Sequence, residues 1–144
     1  MVDVLTETVI GNPLEEVAAY AANPENAPTW YVDIDSVKWE SEPVVAVGSR
    51  ATFVARFLGR TLTYTYEIVD FRPNERLVMA TAEGPFPMET TYTWEARGPE
   101  STAMTLRNRG EPSGFSKVAA PVMSRAMRRA NTRDLRTLKA LLEA

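Results

Sequence analysis

Cysteine and histidine are both absent from the 144 residues. Without cysteine there is no disulfide, no thiolate metal site and no thiol nucleophile. Without histidine the usual general base, the Ser-His-Asp relay and the commonest zinc ligand are excluded as well. Long apolar runs are missing too, and nothing approaches the roughly 20 residues that a membrane-spanning helix needs. A net charge of −3 gives no general attraction to nucleic acid or to an acidic membrane surface. "GNPLEE" lacks the Gly-Lys-Ser/Thr ending of a phosphate loop. Asp33, Asp35 and Glu40 have no glycine-turned calcium loop around them. No metal, no cofactor, no nucleic acid and no stable membrane insertion are therefore expected. The opening "MVDVLTETVIGNPLEE" has early acidic residues rather than a basic start before an apolar run, so no secretory leader is read and a cytoplasmic location is expected.

What is present is enough apolar side chain for one domain over residues 1–144. Residues 3–10 alternate as a first strand. In "GNPLEEVAAYAANPENAPTW" the period changes to helical: Asn12 is placed to cap, Pro13 suits a first turn, and Leu14, Val17, Ala18 and Ala21 share one face. Asn23-Pro24 breaks that helix, and a second short one fits "PENAPTW". A second strand is expected around 35–47, interrupted by Pro43.

From Gly48 the alternation is cleaner. Phe53, Ala55 and Phe57 share one face, with Thr52, Val54 and Arg56 on the other. A hairpin closed at Gly59-Arg60 would set Phe57 opposite Leu62, Ala55 opposite Tyr64 and Phe53 opposite Tyr66. Further strands then follow across "RPNE", "GPFP" and "RGPES", carrying inward Leu77, Met79, Thr81 and Glu83, then Met88, Thr90, Tyr92 and Trp94, then Met104, Leu106 and Asn108. The chain ends in an amphipathic helix whose stripe runs through Val122, Met123, Ala126, Met127, Ala130, Leu135, Leu138 and Leu142, with Pro121 at its start or at a kink. This order predicts an α+β domain: a curved antiparallel sheet of six to seven strands, two short helices after the first strand, and a long terminal helix across one face. Because that stripe includes Ala126, Ala130 and a nearby Asn131, a gap between helix and sheet is expected, the default place for a ligand.

Four stretches carry a resemblance: "PLEEVAAYAANPENAPTW", "GR…YEIVDFRPNERLVM", "GPFPMETTYTWEA" and "PSGFSKVAAPVMSRAMRRANTRDLRTLKALLE". Together they resemble the SRPBCC superfamily (START-like, helix-grip), and within it the small bacterial polyketide cyclase/dehydrase-like members. The likeness implies a helix-grip fold and a cavity for a hydrophobic molecule of lipid, polyketide or aromatic type. It admits, as the second choice after a non-catalytic binding protein, an enzyme of aldol cyclisation and dehydration.

Candidate wall residues follow from the inward faces. Tyr64, Tyr66, Tyr92 and Trp94 offer flat contact area and hydroxyl groups, or simply pack against the helix. Phe53, Phe57, Met79, Thr81, Thr90, Leu106 and Met127 lie on the same faces. Glu83 is either a buried acid–base group or a rim residue in solvent. Asn108 and Asn131 face each other's element and could fix a polar group, unless Asn131 falls off the stripe. The resemblance implies an aromatic at the cavity mouth, for which Trp30 and Tyr31 are the candidates; the alternative is an anchor for the helix pair. Arg125, Arg128, Arg129, Arg133 and Arg136, with Asp134 and Glu143 nearby, read as a solvated helix face. Arg56, Arg107 and Arg109 fall outside the sheet, which leaves a cyclase without an inward cation for an enolate. A third possibility is a partner-docking or homodimer face on the sheet's outer side, where Val54, Val69, Val78 and Ala80 are mildly apolar.

Overall fold

The computed structural model describes residues 2–84, 87–111 and 120–144. Its elements are β1 (Val2–Ile10), α1 (Leu14–Ala22), a 3-10 turn at Pro24–Asn26, α2 (Ala27–Trp30), β2 (Ile34–Trp39), β3 (Arg50–Phe57), β4 (Arg60–Arg72), β5 (Arg76–Glu83), β6 (Met88–Gly98), β7 (Ser101–Gly110) and α3 (Ala120–Glu143). The seven strands form one curved antiparallel half-barrel in the order β1-β7-β6-β5-β4-β3-β2. All but the first thus make a meander, and β1 closes on the last strand. α3 lies across the concave side and packs on β1. Parts of the expected "GPFP" turn, at 85–86, and the expected helical residues 115–119 lie outside the described residues.

The β3–β4 hairpin keeps its faces but not its expected register. The two-residue turn is Leu58-Gly59, with φ of 50° and 75°, and Phe57 pairs with Arg60. Two positive φ values make a type I′ turn, whose twist matches that of the strands. Phe53 therefore sits opposite Tyr64, and Ala55 opposite Leu62. The shift is by two residues, so the apolar set stays inside; a shift by one would have turned it out. At Arg72–Glu75, Pro73 precedes Asn74 at φ 65°, and the Glu75 N–H closes on the Arg72 carbonyl at 2.9 Å, which fits a type II turn.

Three other expectations are corrected. β2 ends at Trp39 rather than running to 47: Pro43 has no N–H for a ladder, and Val44 and Val47 are exposed with nothing to cover them. Asn12 does not cap α1, which has Pro13 at its N-cap position. Instead its Nδ2 donates to the Leu142 carbonyl at 2.8 Å, and its own carbonyl accepts from Thr102, tying the start of α1 to the end of α3. Val122, expected on the buried stripe, is 56% exposed, whereas Met123, Met127, Asn131, Asp134, Leu135 and Leu138 are buried. The stripe is rotated slightly from the purely apolar choice, and it brings two polar residues inside.

The core divides into two clusters. The larger joins α1, the Trp30 region, the inner faces of β3–β7 and Leu135 and Leu138. The smaller joins Val2, Val4 and Leu62 with Met123 and Met127 of α3. Tyr64 and Met88 touch both. The convex face is polar by contrast. Arg50–Glu67, Arg107–Asp3 and Arg109–Glu89 pair across neighbouring strands, and Thr52 bonds Thr65. Among the expected apolar residues there, Val69 is exposed, while Val54, Val78 and Ala80 are half-buried.

Candidate functional site

Between the two clusters lies a cavity of about 120 Å³. An apolar cavity of about 150 Å³ holds a benzene molecule, so this space is on the scale of a single ring. β3 contributes Phe53, Ala55 and Phe57, β4 contributes Leu62, Tyr64 and Tyr66, and β5 and β6 contribute Met79, Thr81, Met88, Thr90 and Tyr92. β7 supplies Asn108, α3 supplies Met127, Ala130, Asn131 and Asp134, and the stretch after α2 supplies Tyr31, Asp33 and Ile34. Its outer end, at Asp33, Phe57 and Ala130, is shared with a surface groove beside the exposed Leu58 and Val122.

Of the sixteen candidates read from the sequence, all but Trp30, Glu83, Trp94 and Leu106 border this space. Trp30 is 1% exposed, its ring centroid 4.1 Å from Tyr31 and 5.8 Å from Tyr92, so it backs the wall from behind. Trp94 and Leu106 belong to the filled end of the half-barrel, where α1 residues and Leu135 and Leu138 pack. Glu83 turns outward because β5 and β4 slip by one residue between Thr81 and Glu83. That bulge sets Glu83 opposite Thr65, a convex-face residue, and leaves it exposed.

The walls are aromatic and their hydroxyl groups are organised. Phe53 and Tyr64 stack at 5.5 Å, and Tyr66 meets both edge-on at 5.6 and 5.0 Å. The Tyr31 and Tyr92 hydroxyls share a 2.6 Å hydrogen bond. Thr90 donates to Asn108 Oδ1 at 2.6 Å, so the Tyr66 hydroxyl, 2.8 Å from Thr90, is left to donate to it. Burial pushes the Tyr66 phenol up to about 12, and it drives Tyr31, Tyr64 and Tyr92 well above their ordinary value. All four phenols are therefore neutral near pH 7. They can donate or accept hydrogen bonds but are poor bases.

α3 brings in what the sequence reading missed. Asp134, expected on the solvated face, is 3% exposed and borders the cavity. One of its oxygens accepts the Val32 N–H at 3.0 Å, and Arg133 Nε stands 3.8 Å from the same oxygen. Burial outweighs both and raises its carboxyl to about 6. The Arg133 guanidinium itself is bound to Asp33 at 2.6 Å. Arg56, expected wholly outside, reaches the cavity edge but is paired with Asp35 at 3.1 Å. Asn131 is 4% exposed, and its Nδ2 has no hydrogen-bond partner among the described residues. The signal for Asp134 was the spacing 127, 131, 134, 138, which is a single helical face once polar residues are admitted to it. Among the described residues no group of three or more carboxylates could hold a metal ion, and no helix is long and apolar enough to cross a membrane.

A half-barrel gripping a long helix around a lined cavity is the START-like, helix-grip architecture. The START superfamily protein from Mycobacterium smegmatis superposes with a TM-score of 0.80 at 15% identity, covering 98% of this chain and 97% of that one. The Zhui aromatase/cyclase from Streptomyces sp. R1128 gives 0.80 at 15%, covering 98% and 93%. Ginseng major latex-like protein 151 from Panax ginseng gives 0.78 at 15%, covering 99% and 97%. At these identities the likeness is one of fold. No match is found among curated proteins. The family model described as polyketide cyclase / dehydrase and lipid transport matches residues 1–143, and the chain belongs to that family, within the SRPBCC superfamily.

Proposed function

We propose that this chain is one ligand-binding domain, acting in the cytoplasm, that holds a small, mostly apolar molecule between the curved sheet and α3. The observation that carries the reading is a space between two core clusters, walled by aromatic rings of β3, β4 and β6 and bordered by polar side chains of β7 and α3. Aromatic faces supply contact area, and binding is driven by burial of apolar ligand surface at about 25 cal/mol per Å², before the entropic costs of association. Native mass spectrometry of the protein purified from its own host, followed by denaturing extraction, tests this. A stoichiometric passenger of low molecular weight supports the reading. A passenger much larger than a single ring, such as a long-chain lipid, contradicts the size argument.

One observation favours a second reading, an enzyme of aldol closure and dehydration. A carboxyl raised to about 6 in an apolar cavity is suited to proton transfer near neutral pH. Against it stand the size of the space, small for a long poly-β-ketone, and two nearby arginines already paired with Asp33 and Asp35. Turnover of a β-ketone substrate that is lost in Asp134→Asn would favour the enzyme.

A further inference from the structure

Most hydroxyl groups of the cavity wall are satisfied within it. Tyr31 bonds Tyr92, Tyr66 is linked through Thr90 to Asn108, and Thr81 bonds the Met88 backbone. The Tyr64 hydroxyl is the exception: it has no hydrogen-bond partner among the described residues. α3 adds two more open atoms. Asn131 borders the cavity with its Nδ2 shut away inside the protein, and its Oδ1 accepts no hydrogen bond among the described residues. One turn further on, Asp134 receives the Val32 N–H and the approach of Arg133 on one oxygen, and its other oxygen accepts none from them. Positions three apart on a helix share a face, and both residues border the same space. The charge of Asp134 also reaches the Tyr64 phenol, where it adds to burial and to Tyr66 and Tyr92 in driving that group up. Three open oxygens, one of them a carboxylate's, thus border a space walled by aromatic rings.

We propose that these oxygens form a cation site, and that the ligand is a single-ring aromatic carrying a protonated primary amine. This rests on the binding reading above and narrows its ligand class. An ammonium group has three N–H donors and no lone pair, which matches the open oxygens in number, and its charge meets that of Asp134. The ring faces of Phe53, Tyr64 and Tyr92 add attraction, because an aromatic face is negative. Asp134 has already lost its water on folding, so a cation restores an interaction that burial removed. The protein's own cations nearby are engaged or elsewhere: Arg56 is held by Asp35 and Arg133 by Asp33, and Arg125 and Arg129 line the outer groove. The other groups that face Asp134, the phenols of Tyr31, Tyr64 and Tyr92, are neutral. A hydroxyl ligand brings one donor and no charge, and a hydrocarbon brings neither. A carboxylate meets acceptors only, and is repelled by Asp134. At pH 7.5 the Asp134 carboxyl, raised to about 6 by burial, is ionised and able to accept.

The test is a set of protein-observed ¹H–¹⁵N NMR titrations at pH 7.5 with benzylamine, benzyl alcohol, toluene and benzoate, which share one ring. The spectra also report whether a variant is folded. The expected result is that benzylamine binds at least about tenfold more tightly than each of the other three, the effect of one hydrogen bond between charged groups. Asp134→Asn should erase most of the advantage of benzylamine over toluene. A second measurement needs no variant. At pH 5 only about one Asp134 in ten is ionised in the free protein, so benzylamine affinity should fall about tenfold from its value at pH 7.5, while that of toluene does not. If toluene binds but benzyl alcohol or benzoate matches benzylamine, the cation site is refuted while the binding cavity stands. The same holds if the folded variant keeps the advantage of the amine, or if its affinity is equal at the two pH values. If no probe perturbs the cavity residues, the binding reading itself fails, and this inference with it.

Discussion

Replacing Asp134 with Asn should make the protein more stable at neutral pH, although it alters a buried, hydrogen-bonded group. The amide oxygen can still accept the Val32 N–H, now 3.0 Å from the carboxylate, so the change removes charge rather than shape. Burial raises the carboxyl from 3.8 to about 6, which means the native state favours the protonated form. Between those pH values the folded protein binds more protons at this site than the unfolded chain. Its stability therefore falls as pH rises through the window, by about 3 kcal/mol in all at about 1.4 kcal/mol per tenfold change in proton activity. Above about pH 7 the full penalty is present; below about pH 3 almost none of it is. Asp134→Asn should thus exceed the wild type by up to ~3 kcal/mol at pH 7.5, less what is lost in attraction to Arg133, 3.8 Å away. The gap should close as pH falls toward 3. Urea unfolding followed by tryptophan fluorescence at half-unit pH intervals measures it, and the difference between the two proteins cancels the titration of carboxylates elsewhere. A variant no more stable than the wild type at pH 7.5, or a gap that stays constant down to pH 4, would refute the argument.

Three other outcomes follow from positions around the site. Leu58→Asn should raise stability by about 1 kcal/mol in the same unfolding assay, because Leu58 is 43% exposed and held at φ 50°, where a leucine is strained and an asparagine is at ease. Gly84→Ala should cost about 1–3 kcal/mol, since the new Cβ would lie 2.9 Å from Tyr64 Cβ and 3.1 Å from Thr81 Cγ2; an unchanged melting temperature would contradict that close approach. Glu83→Gln should shift stability by no more than about 0.5 kcal/mol in the same unfolding assay, because the side chain is exposed on the convex side.

Much of the architecture was legible because strand faces depend on parity. Phe53, Tyr64, Tyr66, Met79, Thr90 and Tyr92 were assigned inward from alternation alone, and they border the cavity. The hairpin register could be wrong by two residues without moving one of them to the other face. Glu83 shows where parity stops working: a single extra residue near Ala82 reverses everything beyond it, and no residue type marks the bulge in advance. Trp94 and Leu106 show a different limit. Their face was right, but which end of a curved sheet is filled depends on where α1 docks, a contact between distant segments. Asp134 was missed because a charged residue among arginines reads as solvated. Its burial depends on the exact phase of α3 and on the Val32 N–H that receives it from a segment a hundred residues away.

The most direct measurement is a crystal structure of the wild type soaked with a single-ring aromatic such as toluene. Ring density is expected between the Phe53–Tyr64–Tyr92 wall and α3. Density confined to the outer groove near Leu58 and Val122, or a cavity closed by its own side chains with no ligand inside, would contradict it.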